Sequence, residues 1–113
     1  MASQGWLLCD GRVLAALEVA STRSERRHGL LGRDGYDGAL LIERCRWIHT
    51  LGMRFALDVA YLDAQGVVIK AVRMETNRVG VPMFQARGVI EAEAGAFARW
   101  GLHVGDVLEV RQP

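Results

Sequence analysis

The stretch Asp58-Val59-Ala60-Tyr61-Leu62-Asp63-Ala64-Gln65-Gly66-Val67-Val68-Ile69-Lys70-Ala71-Val72 carries two apolar runs joined by four residues that end in glycine. Short runs rich in Val, Ile and Tyr, bounded by Asp and Gly, are strand signals, and a glycine-terminated connection of this length reads as a β-hairpin. Outward from it, the same reading places strands over Arg12–Val19, Gly38–Ile42, Arg46–Thr50, Arg87–Ala92 and Val107–Val110. Thr22 and Glu25 have capping-box spacing, which predicts a short helix from Thr22 that stops at Gly32. Gly29 inside it costs about 1 kcal/mol relative to alanine and therefore needs a reason, such as close packing against another backbone. Ala94, Phe97, Ala98 and Leu102 fall at helical spacing and give a second short helix ending near Gly101. Arg73–Met83, with Asn77, Gly80 and Pro82, reads as a long loop. About seven short strands and two short helices predict a mainly β fold, either a compact sandwich or a partly closed barrel.

The chain has 113 residues, 50% hydrophobic and 24% charged, with a formal net charge of +1. Residues 1–113 are expected to form a single domain, and at this size about two-thirds of the unfolded surface can be buried, enough for a core without metal or disulfide. The two cysteines, Cys9 and Cys45, read as free thiols of a reducing compartment. The opening residues have no basic region and an apolar run of three residues closed by Asp10 and Arg12, so neither a signal peptide nor a spanning helix is expected. The expected setting is cytoplasmic.

Near-neutral charge removes the usual electrostatic case for nucleic acid or an anionic membrane. Thirteen of the 14 basic residues are arginine and only Lys70 is lysine. The cluster Arg23, Arg26, Arg27 and Arg33 lacks interleaved aromatics and is diluted by Glu25, Asp34 and Asp37, so it reads as a solvated helix face. Gly29, Gly32, Gly35 and Gly38 do not follow a strand and are not followed by Gly-Lys-Ser/Thr, which excludes a phosphate loop. Three histidines, His28, His49 and His103, stand far apart, no zinc-ligand spacing is present, and neither a metal nor another cofactor is expected.

The densest polar stretch is Cys45-Arg46-Trp47-Ile48-His49-Thr50-Leu51-Gly52-Met53-Arg54-Phe55, with Asp58 close behind. If Cys45 to His49 is extended, as Trp47, Ile48 and Thr50 favour, the two side chains stand about 13 Å apart at roughly 3.3 Å per residue, too far for a dyad or a shared metal. His49 has two readings: a ring bonded to backbone or to Asp58, or a ligand contact at the mouth of the β scaffold. Arg54 offers a planar fork for an anion, or pairs with Asp58.

Taken together, Thr22, Arg26, Gly29-Leu30-Leu31, Arg33, Gly38–Ile42, Cys45, His49–Phe55, Leu57-Asp58-Val59, Tyr61-Leu62-Asp63, Gly66, Val89-Ile90-Glu91, Ala94-Gly95 and Gly105-Asp106 resemble the domain of unknown function 192 family. The likeness spans about residues 13 to 110. The resemblance implies a compact β-sandwich-like domain with short helices and no established activity. Family members often carry a proline where Ala56 stands here, and many begin with an export signal.

The polar positions that match are Arg26, Arg33, His49, Thr50, Arg54, Asp58, Glu91 and Asp106. Asp106 after Gly105 reads as a turn residue accepting backbone N–H bonds, and Arg26 or Arg33 as a tie from helix to sheet through a carboxylate such as Glu91. His49, Thr50, Arg54 and Asp58 are the expected ligand-binding residues. The leading expectation is a non-enzymatic binding or accessory module for a small molecule or peptide, acting as a monomer or weak oligomer, with no nucleic acid or membrane partner. The alternative is a hydrolase or transferase with His49 as general base, Asp58 orienting it, and Cys45 or Thr50 as nucleophile.

Overall fold

The computed structural model describes residues 3–113. Among them, seven strands and two helices follow in the order β1 (Ser3–Cys9), β2 (Arg12–Ala20), α1 (Arg23–His28), β3 (Ala39–Glu43), β4 (Leu57–Leu62), β5 (Val68–Met74), β6 (Gly88–Glu93), α2 (Ala96–Trp100) and β7 (Leu108–Arg111). All seven strands belong to one sheet, ordered β5-β4-β6-β3-β2-β1-β7. The pairings are antiparallel except β2 with β3, whose parallel register needs a crossover, and α1 lies within that crossover.

The sheet curls until its two edges meet. Val67 bridges Val107, Val68 N–H donates to Asp106 O at 2.8 Å, and Leu108 N–H donates to Gly66 O at 2.9 Å. The architecture is therefore a half-barrel of one sheet, the partly closed barrel of the two expectations rather than two facing sheets. Curling gives the central strands two apolar faces. One gathers Leu7, Leu17, Val19, Ala60, Leu62, Ile90 and Ala92 with Phe97 of α2 and Leu102. The other gathers Leu40, Ile42, Leu57, Val59, Tyr61 and Val89, covered by Leu30, Ile48 and Met53 from the connections.

The predicted hairpin is β4-β5, with Asp63 Oδ1 accepting the N–H groups of Gln65 and Val67 across the turn. The capping box is also present: Thr22 Oγ1 accepts from Glu25 N–H at 3.1 Å and Glu25 Oε1 accepts from Thr22 N–H at 3.1 Å. The helix ends at His28 instead of running to Gly32. Gly29 takes φ 52° and ψ −130°, a conformation that breaks the helical path and that only glycine adopts without strain.

Two strand expectations change. Ser3–Cys9 is a strand that its sparse apolar pattern did not announce, paired with both β2 and β7. The segment 46–50 is not one. It runs beside residues 78–83 with Thr50 N–H donating to Arg78 O, Gly80 N–H to Ile48 O and Met83 N–H to Arg46 O, but only His49 and Val79 form a bridge. A Cβ on Gly80 would stand 2.7 Å from Ile48 O, so this close approach requires glycine. Cys9 and Cys45 are both free thiols. No helix among the described residues is long and apolar enough to cross a membrane.

Candidate functional site

Strand β6 lies between β4 and β3, and register sets Glu91 opposite Val59 on one side and Leu40 on the other. A carboxylate in this position is taken into the apolar face that α1 and its following turn cover. Glu91 is only 4% exposed, and its carboxyl group takes part in none of the hydrogen bonds found among the described residues, its oxygens facing the cleft instead. Burial without compensation disfavours the ionised form, and the loss of hydration pushes its pKa up to about 7. Gly29 is the roof: a Cβ there would lie 3.3 Å from Glu91 Oε1.

A cleft of about 230 Å³ opens onto Glu91 between α1 with its C-terminal turn and the chain from Cys45 to Met53. Leu30, Ile42, Ile48 and Met53 make its apolar wall. Arg26 lines it from α1. Its Nη1 makes two long bonds, to the carbonyls of Glu43 at 3.5 Å and Arg44 at 3.4 Å, and its Nε is buried with no acceptor among the described residues. On the opposite rim, Trp47 and His49 pack with ring centres 5.4 Å apart. Trp47 Nε1 donates to Gly80 O, and His49 Nδ1 accepts from Leu51 N–H at 3.1 Å, which leaves the proton of the neutral ring on Nε2. Cys45 also lines the cleft; its thiol donates to Trp47 O, and burial raises its pKa, so it is not an activated nucleophile. Cys45 and His49 both line this cleft, and no hydrogen bond joins them.

The other anticipated site residues lie apart from this cleft. Thr50 is fully buried; its hydroxyl donates to Glu75 O at 2.6 Å and accepts from Arg78 N–H at 2.8 Å, pinning the 75–78 turn. Arg54 is exposed and pairs with Asp34 at 2.9 Å, not with Asp58. Asp58 faces the opposite side of the sheet from Glu91, since its β6 neighbour is Ala92. There its Oδ2 accepts the N–H groups of Gly95 and Phe97 at the start of α2, and its Oδ1 pairs with Arg73 at 3.2 Å. No bond joins Asp58 to His49. Arg33, in the connection that follows α1, ties that connection to β2 through Glu18, with bonds of 3.2 and 3.0 Å, rather than through Glu91. Asp106 accepts His103 N–H at 2.8 Å in the turn that Gly105 opens.

Glu91 was read in the sequence only as a tie for an arginine. Its signal was a charged residue at the centre of Val89-Ile90-Glu91-Ala92, a run with the apolar neighbours of a strand buried on both faces. No group of three or more His, Cys, Asp or Glu able to hold a metal ion is found among the described residues.

The chain as a whole is similar to other proteins. A family model described as Uncharacterized ACR, DUF192, matches residues 8–110. The chain belongs to this family. No curated protein matches it. Two solved structures share the DUF192 chain's fold. One, from Sinorhizobium meliloti 1021, is described as a candidate transcription regulator; it has a TM-score of 0.77 and 21% identity, with 97% of this chain and 94% of that chain covered. The other, a protein of unknown function from Novosphingobium aromaticivorans DSM 12444, has a TM-score of 0.75 and 18% identity, with 94% and 83% covered. At these identities the likeness is one of fold.

Proposed function

We propose that this DUF192 protein is a non-enzymatic binding module whose ligand, a small molecule or the side chain of a peptide, enters the cleft beneath α1 and meets Glu91. One observation carries the reading: a carboxyl group nearly removed from water, facing a cleft, with no donor from the protein. Buried polar groups are ordinarily hydrogen-bonded, and leaving one unsatisfied costs about 1–3 kcal/mol. A perturbed titratable group in an apolar cleft is a mark of a binding site.

His49 stays in this reading as a rim contact. Thr50 and Asp58 become scaffold residues, because their polar atoms already have partners elsewhere, and Arg54 lies outside the cleft with its Nη1 paired to Asp34. The hydrolase alternative needs His49 oriented by Asp58 and an acidic thiol or a reachable hydroxyl, and none of these arrangements is met. Two unpaired thiols fit a reducing, cytoplasmic setting.

The test is a melting-temperature screen of a chemically broad small-molecule library against wild type and Glu91→Leu. Binding to the folded state raises the melting temperature in proportion to occupancy. Compounds that stabilise wild type and not the variant support the reading. A library that shifts neither, or both alike, contradicts it.

A further inference from the structure

Two polar groups in the Glu91 cleft lack protein partners, and they have opposite hydrogen-bonding sense. Glu91 presents acceptor oxygens, and Arg26 presents a buried Nε donor on a guanidinium held elsewhere only by bonds of 3.4 and 3.5 Å. Around them the wall is apolar, from Leu30, Ile48 and Met53. The ligand head that answers both groups carries a donor and an acceptor side by side and no net charge.

We propose that the cleft binds neutral small molecules with a primary carboxamide head and a short aliphatic tail, the amide N–H donating to Glu91 and the amide carbonyl accepting from Arg26. The proposal rests on the reading of this cleft as the binding site and adds the chemistry of its ligand. An ammonium head would gain from Glu91 but face Arg26, with Arg27 and His28 on the same last turn of α1. A carboxylate head would gain from Arg26 but be repelled by ionised Glu91, so it binds only by holding Glu91 protonated. A carboxamide suits Glu91 in either protonation state, because a neutral carboxylic acid and an amide also exchange two complementary hydrogen bonds. The tail then lies along Leu30, Ile48 and Met53, where burial of each methylene adds affinity.

Pentanamide, pentylammonium and pentanoate share one tail and differ in the head, so a titration of each into the full chain at pH 7, followed by amide NMR, isolates the head chemistry. Pentanamide is expected to move the amide signals of Gly29, Cys45 and Glu91 and to bind about tenfold or more tighter than either charged analogue, as one satisfied hydrogen bond to a charged group allows. Glu91→Leu and Arg26→Met, each checked for a cooperative melt, are each expected to weaken pentanamide about tenfold. Equal or tighter binding of either charged analogue overturns the proposal, as does pentanamide binding that neither variant changes. If other library compounds move these same amide signals and pentanamide does not, the carboxamide assignment fails and the binding-module reading stands. If no compound moves them, both fail.

Discussion

Gly29 closes directly over Glu91, where a Cβ would stand 3.3 Å from Glu91 Oε1, so a helix terminus and a buried carboxyl group on the inner strand β6 form one unit. The glycine meets two demands there: the φ of 52° that ends α1 and the space above the carboxyl. Gly29→Ala is therefore expected to destabilise the protein by about 1–3 kcal/mol, the usual cost of forcing a side chain into a sparsely populated backbone region. Urea denaturation measures it. A neutral or stabilising effect would show that the turn relaxes without cost and that the roof is not rigid.

Burial of Glu91 also sets a pH dependence whose sign is opposite to that of an ordinary paired carboxylate. Its folded pKa of about 7 lies above the unfolded value of 4.5, so the folded state holds the proton more tightly. Stability is fully retained below about pH 4.5, falls as pH rises towards 7, and is constant above that. The full difference is on the order of 3 kcal/mol. Relative to Glu91→Gln, wild type should lose stability between pH 5 and pH 8; parallel stability curves for the two proteins would show that Glu91 titrates normally.

Asp58 and Arg73 pair across β4 and β5, but the two should contribute unequally. Asp58 is buried and holds two backbone N–H groups of α2, whereas Arg73 keeps 54% of its side chain exposed. Asp58→Ala should cost about 2–4 kcal/mol through the charge-assisted bonds it removes, and Arg73→Ala less than about 1 kcal/mol. Chemical denaturation of both variants decides it. Equal costs would make the ion pair, not the α2 cap, the source of stability.

Thr50 should behave as a structural clasp. Replacing it by valine keeps its shape but leaves Arg78 N–H without its side-chain acceptor and Glu75 O without its donor, and a loss of roughly 2–4 kcal/mol is expected. Loss of ligand binding at unchanged stability would instead return Thr50 to the site.

Much of the fold was legible because local chemistry and tertiary structure agree. Thr22 and Glu25 announce the start of α1, and Asp63 to Gly66 announce the hairpin, since both signals are satisfied within a few residues. Two strand assignments went astray for a common reason. Trp47, Ile48 and Thr50 have high strand propensity, yet their backbone partners are the irregular residues 78–83, while Ser3–Gly5 has weak propensity but pairs with β2 and leads into Trp6–Cys9, which pairs on both sides. The number seven emerged because one error offset the other. The site was less legible. Sequence proximity gathered His49, Thr50, Arg54 and Asp58, but the period-two alternation of β4 and the turn at Gly52 send them to different surroundings. Glu91 and Arg26 come to line one cleft only through the β2–α1–β3 crossover and the register of β6, neither of which one sequence displays.

The position of the binding site is the central claim, and amide NMR of wild type and Glu91→Leu with the library's binders tests it most directly. The account predicts that Gly29, Leu30, Cys45, Ile48 and Glu91 shift in wild type and that these shifts vanish in the variant. Shifts centred on Arg54, Asp58 and Arg73, or shifts at the cleft that persist without the carboxyl group, would contradict it.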